Sequence, residues 1–287
     1  MIQQHRRAAR TLRNSLQAFL LTLVFASLAI PLAALTAPDA PPPLNGIAHI
    51  AIRVHSIAAS TAFYEQLGFE QAFTRTKDGV VTQSFLKIND RQFIELYPVT
   101  PKDPTIGFLH LCFEGADLNA IHDDYTSRGL APKAVRKAGA GNLLFTLAGP
   151  LQPFGPQNIE YTQYEPGSLH TLDQGKHLGP DRVADKLISV TLAMQDPAAA
   201  RDFYVNSLEF KPVSGSPMKF HLAGGSGEQV AIVAAAPLGD KARIILETDS
   251  LSRSARILRR QHIAFTKKDN TLSLTDPDGN ILRIQPR

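Results

Sequence analysis

Ile47-Ala-His-Ile-Ala-Ile-Arg-Val54 and, far downstream, Leu187-Ile-Ser-Val-Thr-Leu-Ala-Met194 are the two stretches that decide the fold. Both are runs of β-prone residues of strand length, and each is followed at once by a helix signal. After the first, Ser56 can cap a helix whose apolar residues Ala59, Ala62, Phe63 and Leu67 keep helical spacing up to Gly68-Phe69. After the second, Asp196-Pro197 supplies a cap with proline at the first helical position, and Ala200, Phe203, Tyr204 and Leu208 follow. Phe63-Tyr64 answers Phe203-Tyr204, so the chain repeats itself.

Two further copies lack the Phe-Tyr pair but keep the order, with a strand over 107–113 before a helix over 118–128 and a strand over 242–247 before a helix over 251–260. Behind each helix come alternating runs separated by turn residues, such as 80–86, 92–97, 142–147 and the pair around Asp276-Pro-Asp-Gly279. The unit is βαβββ, and four copies make an α+β protein of two domains of paired units, over 46–166 and 185–287. A Gly/Pro/His-bearing linker over 167–184 joins them.

The remaining residues set the compartment and exclude one partner. Thirty lysines and arginines face twenty-six acids in the whole chain, and four of the arginines (Arg6, Arg7, Arg10 and Arg13) stand before residue 37, so the rest is formally neutral. A neutral body without a zinc-finger, basic-zipper or RRM pattern excludes nucleic acid as the expected partner. Residues 1–37 run from that basic flank into an apolar stretch, which is the pattern of an export signal or, equally long enough to span a bilayer, a membrane anchor. A proline-rich linker over 38–45 follows. The folded part is expected outside the cytoplasm, periplasmic or anchored, as a monomer or homodimer. The single cysteine, Cys112, excludes an intramolecular disulfide and reads as a small buried hydrophobe.

The text His49-Ile-Ala-Ile, Phe63-Tyr64 with Leu67-Gly68-Phe69, Phe93-Ile-Glu95-Leu, His110-Leu and Asn158-Ile-Glu160-Tyr resembles the vicinal oxygen chelate superfamily. That superfamily holds glyoxalase I, methylmalonyl-CoA epimerase, the extradiol dioxygenases and the fosfomycin- and bleomycin-resistance proteins. The resemblance covers 46–165 through these motifs and 185–287 through the order of elements. It implies that each pair of units forms a half-open barrel of eight strands. It also implies metal ligands on the first and last strand of each unit of the first domain, which are here His49, Glu95, His110 and Glu160. Two imidazoles and two carboxylates suit one divalent ion, Ni, Zn, Co, Mn or Fe, with positions left for waters and substrate.

Strand alternation extends the site. Ala51 and Arg53, Phe93 and Tyr97, Phe108 and Cys112, and Thr162 and Tyr164 should share a face with the ligands. Arg53 is then expected to hold a substrate carboxylate or phosphate, Tyr97, Thr162 and Tyr164 to offer hydroxyls, and Phe93 with Phe108 to form apolar walls. His170 and His177, in the linker, are candidates to close over the site, although surface histidines are the simpler reading. In the second domain Ser189 and Arg243 stand where His49 and His110 stood, Ile281-Leu-Arg-Ile replaces Asn158-Ile-Glu-Tyr, and Val230-Ala-Ile-Val-Ala is apolar. That domain should bind no metal and serve as a packing partner, a lid or a second ligand pocket.

Three functions fit the resemblance. A glyoxalase- or epimerase-like isomerase or lyase would use Glu95 or Glu160 as the catalytic base on a small oxygen-bearing substrate. An extradiol dioxygenase would hold Fe(II) on His49, His110 and Glu160, but Glu95 then occupies a position that substrate and oxygen need. A non-catalytic small-molecule binder would make the metal dispensable. The first is the expected function.

Overall fold

The computed structural model of the protein describes residues 41–224, 227–235 and 241–287. The segment read as signal or anchor lies outside them, and among the described residues no helix is long and apolar enough to cross a membrane. The first module contains β1 (Leu44–Val54), α1 (Ile57–Gln66), β2 (Gln71–Lys77), β3 (Val80–Lys87) and β4 (Phe93–Pro98). It continues with β5 (Gly107–Gly115), α2 (Leu118–Ser127), β6 (Arg136–Lys137), β7 (Leu143–Gln152) and β8 (Gly155–Gln163). A short helix α3 (Leu169–Leu172) lies in the linker. The second module repeats the order with β9 (Lys186–Met194), α4 (Pro197–Asp202), β10 (Lys211–Val213), β11 (Ser216–His221) and β12 (Gln229–Ala234). Its last unit is β13 (Arg243–Thr248), α5 (Leu251–Arg260), β14 (Thr266–Lys268), β15 (Thr271–Thr275) and β16 (Ile281–Pro286).

Each module is one eight-stranded sheet, ordered β2-β3-β4-β1-β5-β8-β7-β6 and β10-β11-β12-β9-β13-β16-β15-β14. The first strands of the two units meet antiparallel at the centre, and each is flanked by its own unit's last strand in parallel. The four βαβββ units thus form two glyoxalase-like domains of the same topology. Local chemistry starts all four major helices in the same way. The side chains of Ser56, Asp117, Asp196 and Ser250 each accept a backbone N–H of the first turn, a contact worth about 1 kcal/mol per helix. Gly68, at a φ of +86°, ends the α1 segment, and a Cβ there would lie 2.6 Å from the carbonyl oxygen of Asp181.

Alternation divides each sheet into two faces. Ile50, Ile52, Ile94, Leu96, Leu111, Phe113, Ile159 and Tyr161 are wholly buried in the apolar core, whereas their neighbours His49, Glu95, His110 and Glu160 turn to the opposite, concave face. The repeated Phe-Tyr pair has a specific role between the modules. The Tyr64 hydroxyl donates to Asp276 Oδ2 (3.0 Å) in the second module, and the Tyr204 hydroxyl donates to Gln157 Oε1 (2.8 Å) in the first. The crossing is reciprocal, with Tyr64 on α1 and Tyr204 on the wider helical turn Phe203–Ser207 that continues α4.

Both tyrosine hydroxyls are buried, so each phenol-to-phenyl change leaves an acceptor in the other module without its donor. Tyr64→Phe and Tyr204→Phe are expected to lower stability by about 1–2 kcal/mol each. Urea denaturation of the two single variants measures the loss.

Candidate metal centre

Three ladders place the four candidate ligands. The parallel pairing of β1 with β4 sets Ala51 beside Glu95, the antiparallel pairing of β1 with β5 sets Ala51 beside His110 and His49 beside Cys112, and β5 with β8 sets Cys112 beside Glu160. Because paired residues share a face, His49, Glu95, His110 and Glu160 converge on the concave side. His49 Nε2 lies 3.0 Å from His110 Nε2 and 3.6 Å from Glu160 Oε1. His49 Nδ1 lies 3.2 Å from Glu95 Oε1, yet the two are not aligned as a hydrogen bond and Nδ1 is left without one. The ligands form two overlapping triads through His49, one with Glu95 and His110 and the other with Cys112 and Glu160.

Burial sets the charges of these groups. It drives His49 well below the ordinary imidazole range, helped by His110 and His170, and holds His110 down at about 4, helped by the Arg53 guanidinium. It pushes Glu160 up to about 7 and Glu95 well above the usual carboxylate range, the latter aided by repulsion from Glu160. Both imidazoles are therefore neutral, the state in which they bind metals, and among the described residues neither carboxyl group is in an ion pair with a lysine or arginine, Arg75 and Arg136 only partly offsetting the effect of burial on Glu95 and Glu160. Two nitrogens at right angles around one ion, each about 2.1 Å away, stand about 3.0 Å apart, so the observed separation of the two Nε2 atoms fits a shared divalent cation. Cys112 is fully buried, and burial first, then Glu160 and Glu95, keep its thiol protonated.

The site opens into a cavity of about 150 Å³ lined by His49, Glu95 and Glu160 together with Arg75, Gln83, Tyr97, Arg136, Asn142 and His170. Tyr97 donates to Glu95 Oε2 (3.0 Å) and fixes that carboxyl. His170 is only 3% exposed, both of its ring nitrogens lack hydrogen bonds, and it is stacked on Tyr164 and edged by Phe73, Phe85 and Phe93. The linker helix that carries it is latched by Lys87, whose wholly buried ammonium donates to the Asp173 carboxylate (2.8 Å) and backbone carbonyl (2.6 Å). His177 lies outside the cavity and contacts Asp173 Oδ1 (2.5 Å).

Other expected wall residues are placed elsewhere. A bulge at Leu109 pairs Phe108 with Ile52, so Phe108 packs against the core and does not share the face of His110 as simple alternation predicts. Phe108 and Arg53 line a separate cavity of about 380 Å³ between the modules, where Arg53 pairs with Asp103 (3.2 Å). Phe93 is buried behind His170. The Thr162 hydroxyl is engaged by Asn142 and donates to the Leu143 carbonyl (2.9 Å), and the Tyr164 hydroxyl donates to the Arg91 carbonyl (3.0 Å). Of the six expected substrate contacts, Tyr97 is the one that lines the cavity of the candidate ligands. Arg75, Gln83 and Arg136 escaped sequence reasoning because β2, β3 and β6 carry them, and only the pairings Arg75 with Gln83 and Phe85 with Glu95 reveal that Gln83 and Arg75 share the ligands' face.

Residues 46–157 match the family described as the Glyoxalase/Bleomycin resistance protein/Dioxygenase superfamily. The first module belongs to that superfamily. Among solved structures, a catechol 2,3-dioxygenase is similar at 15% identity and a TM-score of 0.61, with 85% of this chain and 88% of that one covered. The 2,3-dioxygenase LapB from Pseudomonas sp. KL28 is similar at 16% identity and a TM-score of 0.62, covering 86% and 94%. The Mn(II)-bound glyoxalase from Novosphingobium aromaticivorans is similar at 14% identity and a TM-score of 0.62, covering 85% and 82%. At these identities the likeness concerns the fold, which both modules share with the superfamily. No curated protein sequence matches the chain.

The raised Glu160 on the concave face gives the metal-free chain an expected pH dependence of stability. Below about pH 4.5, the ordinary value, Glu160 is protonated whether the chain is folded or not. As pH rises, the unfolded chain ionises first and the folded one only near 7, so the folded state loses stability through that window and the loss is complete above about 7. Glu160→Gln is therefore expected to raise the stability of chelator-treated protein at pH 8 by the order of 2–3 kcal/mol and to leave it unchanged at pH 4. Urea titrations of both proteins at the two pH values check the sign.

Proposed function

We propose that the protein is an exported or membrane-anchored, divalent-metal-dependent enzyme of the glyoxalase/epimerase type, moving a proton on a small oxygen-bearing substrate. The observation that carries this reading is the convergence of two neutral imidazoles and two buried carboxyl groups around His49 beside a cavity of about 150 Å³. A divalent cation held by His49, His110, Glu160 and Glu95 would polarise substrate oxygens and make the adjacent carbon acidic.

The chain's own residues supply the rest. Glu160, raised towards neutrality by burial, is suited to accept the proton from that carbon and return it, and Glu95 is the alternative base. Tyr97 restrains Glu95 through its hydroxyl. Arg75 and Arg136, on the cavity wall, offer guanidinium groups to an anionic end of the substrate. His170 stands on the wall of the same cavity, its two ring nitrogens buried without hydrogen bonds among the rings of Phe93 and Tyr164. A ring-cleaving dioxygenase needs the position beside His49 that Glu95 fills, so the proton-transfer reading is preferred.

Elemental analysis of the chain purified without chelator is expected to find about one Ni, Co, Zn or Mn per molecule, reduced at least about tenfold in His49→Ala and His110→Ala. Iron retained in Glu95→Ala would move the function to ring cleavage, and no metal under any loading condition would leave a binding protein. Uptake of solvent deuterium next to the carbonyl of small 2-oxo acids, measured by NMR, is expected to fall roughly a hundredfold or more in Glu160→Gln.

A further inference from the structure

The second module turns the same concave face inside out electrostatically. Thr191 pairs with Arg243 and with Ala231, Ile245 pairs with Arg283 and with Ser189, and Ala231 pairs with Lys219, so all of these residues share one face, opposite the buried Val190, Leu192, Ile244 and Leu282. By position, Ser189 stands for His49, Ala231 for Glu95, Arg243 for His110 and Arg283 for Glu160. The face that gathers two carboxylates in the first module gathers three cations in the second, and neither replacement for a glutamate is acidic.

These cations are not consumed internally. Among the described residues neither Arg243 nor Arg283 is in an ion pair, and Arg243 Nε is buried without a hydrogen-bond partner. Ser189 is 3% exposed, and its hydroxyl likewise has no partner. Burial, and then the charge of Arg283, lower the proton affinity of Arg243, which places the two guanidinium groups within each other's field. Like charges gathered around an unsatisfied buried donor, with Glu247, the acid on the same face of β13, already paired with Arg287 (3.1 Å), are the arrangement that an anion completes.

We propose that the concave face of the second module binds a small oxyanion, a carboxylate or a phosphoryl group, through Arg243 and Arg283 with the Ser189 hydroxyl as a neutral donor and Lys219 alongside. The site is independent of the metal centre and does not rest on the proposed reaction. It gives the second module a ligand of its own, with the sign of charge opposite to that of the first.

Calorimetric titration of the full chain with inorganic phosphate and, in a parallel arm, with acetate, both at low ionic strength, tests the site. Saturable binding of at least one anion at one site per chain is expected, weakened at least about tenfold in Arg243→Gln and in Arg283→Gln and unchanged in His49→Ala. A preference for phosphate assigns a phosphoryl ligand, and a preference for acetate assigns a carboxylate. Arg283 is exposed, so its variant tests the site even where Arg243→Gln disturbs the fold. Absence of saturable binding in both arms, binding retained in both arginine variants, or binding lost in His49→Ala would overturn the proposal.

Discussion

The antiparallel ladder between β1 and β5 is the constraint on which the first module depends. It joins two βαβββ units into one sheet, and its register alone brings an imidazole from each unit to the same point. Because the side-chain period of a strand is two, a slip of one residue would exchange the polar face for the apolar one and bury His49 among Ile50, Ile52 and Phe113. Bulges in that ladder, at Asn45, Ala48 and Leu109, fix the register and locally reset which side chains face inward. The convergence of the candidate ligands is thus a property of the pairing, not of any single motif.

Much of this was legible in the sequence, and for identifiable reasons. The repeat fixed the number of units, and helix caps at Ser56 and Asp196 sit where side-chain chemistry demanded them. His49, Glu95, His110 and Glu160 were readable because each occupies an equivalent strand in a duplicated unit. Phe108 was misplaced because a bulge interrupts alternation without any local signature, Leu109 being an ordinary strand residue. Arg75, Gln83 and Arg136 depend on which edge strands pair and in what register, information held in long-range contacts. His170 was legible as a linker histidine able to close over the site, but its buried seat was not, since that depends on a lysine on β3 and four aromatic rings from distant segments.

The two modules show how one backbone supports opposite polar faces. Sheet topology does not distinguish them, and the apolar side of each follows the same alternation, although the first core is the richer in buried aromatic rings. The difference lies in four concave positions, where a change of side chain alters which ions the surface favours without touching the packing beneath. In the first module the linker helix adds an aromatic cover above that surface, held by an ammonium that has no solvent contact.

The reciprocal tyrosines carry a consequence for the birth of the molecule. The partner of Tyr64 lies 212 residues further along the chain, in the β15–β16 hairpin, and emerges that much later in synthesis. Tyr204, by contrast, finds Gln157 already made. The first module therefore waits through the synthesis of those 212 residues without that latch on its leading helix, while the second can dock its own leading segment onto a finished sheet as soon as it forms. Formation of the β15–β16 hairpin is what latches α1, so loss of that hairpin should be felt in the first module as well as in its own.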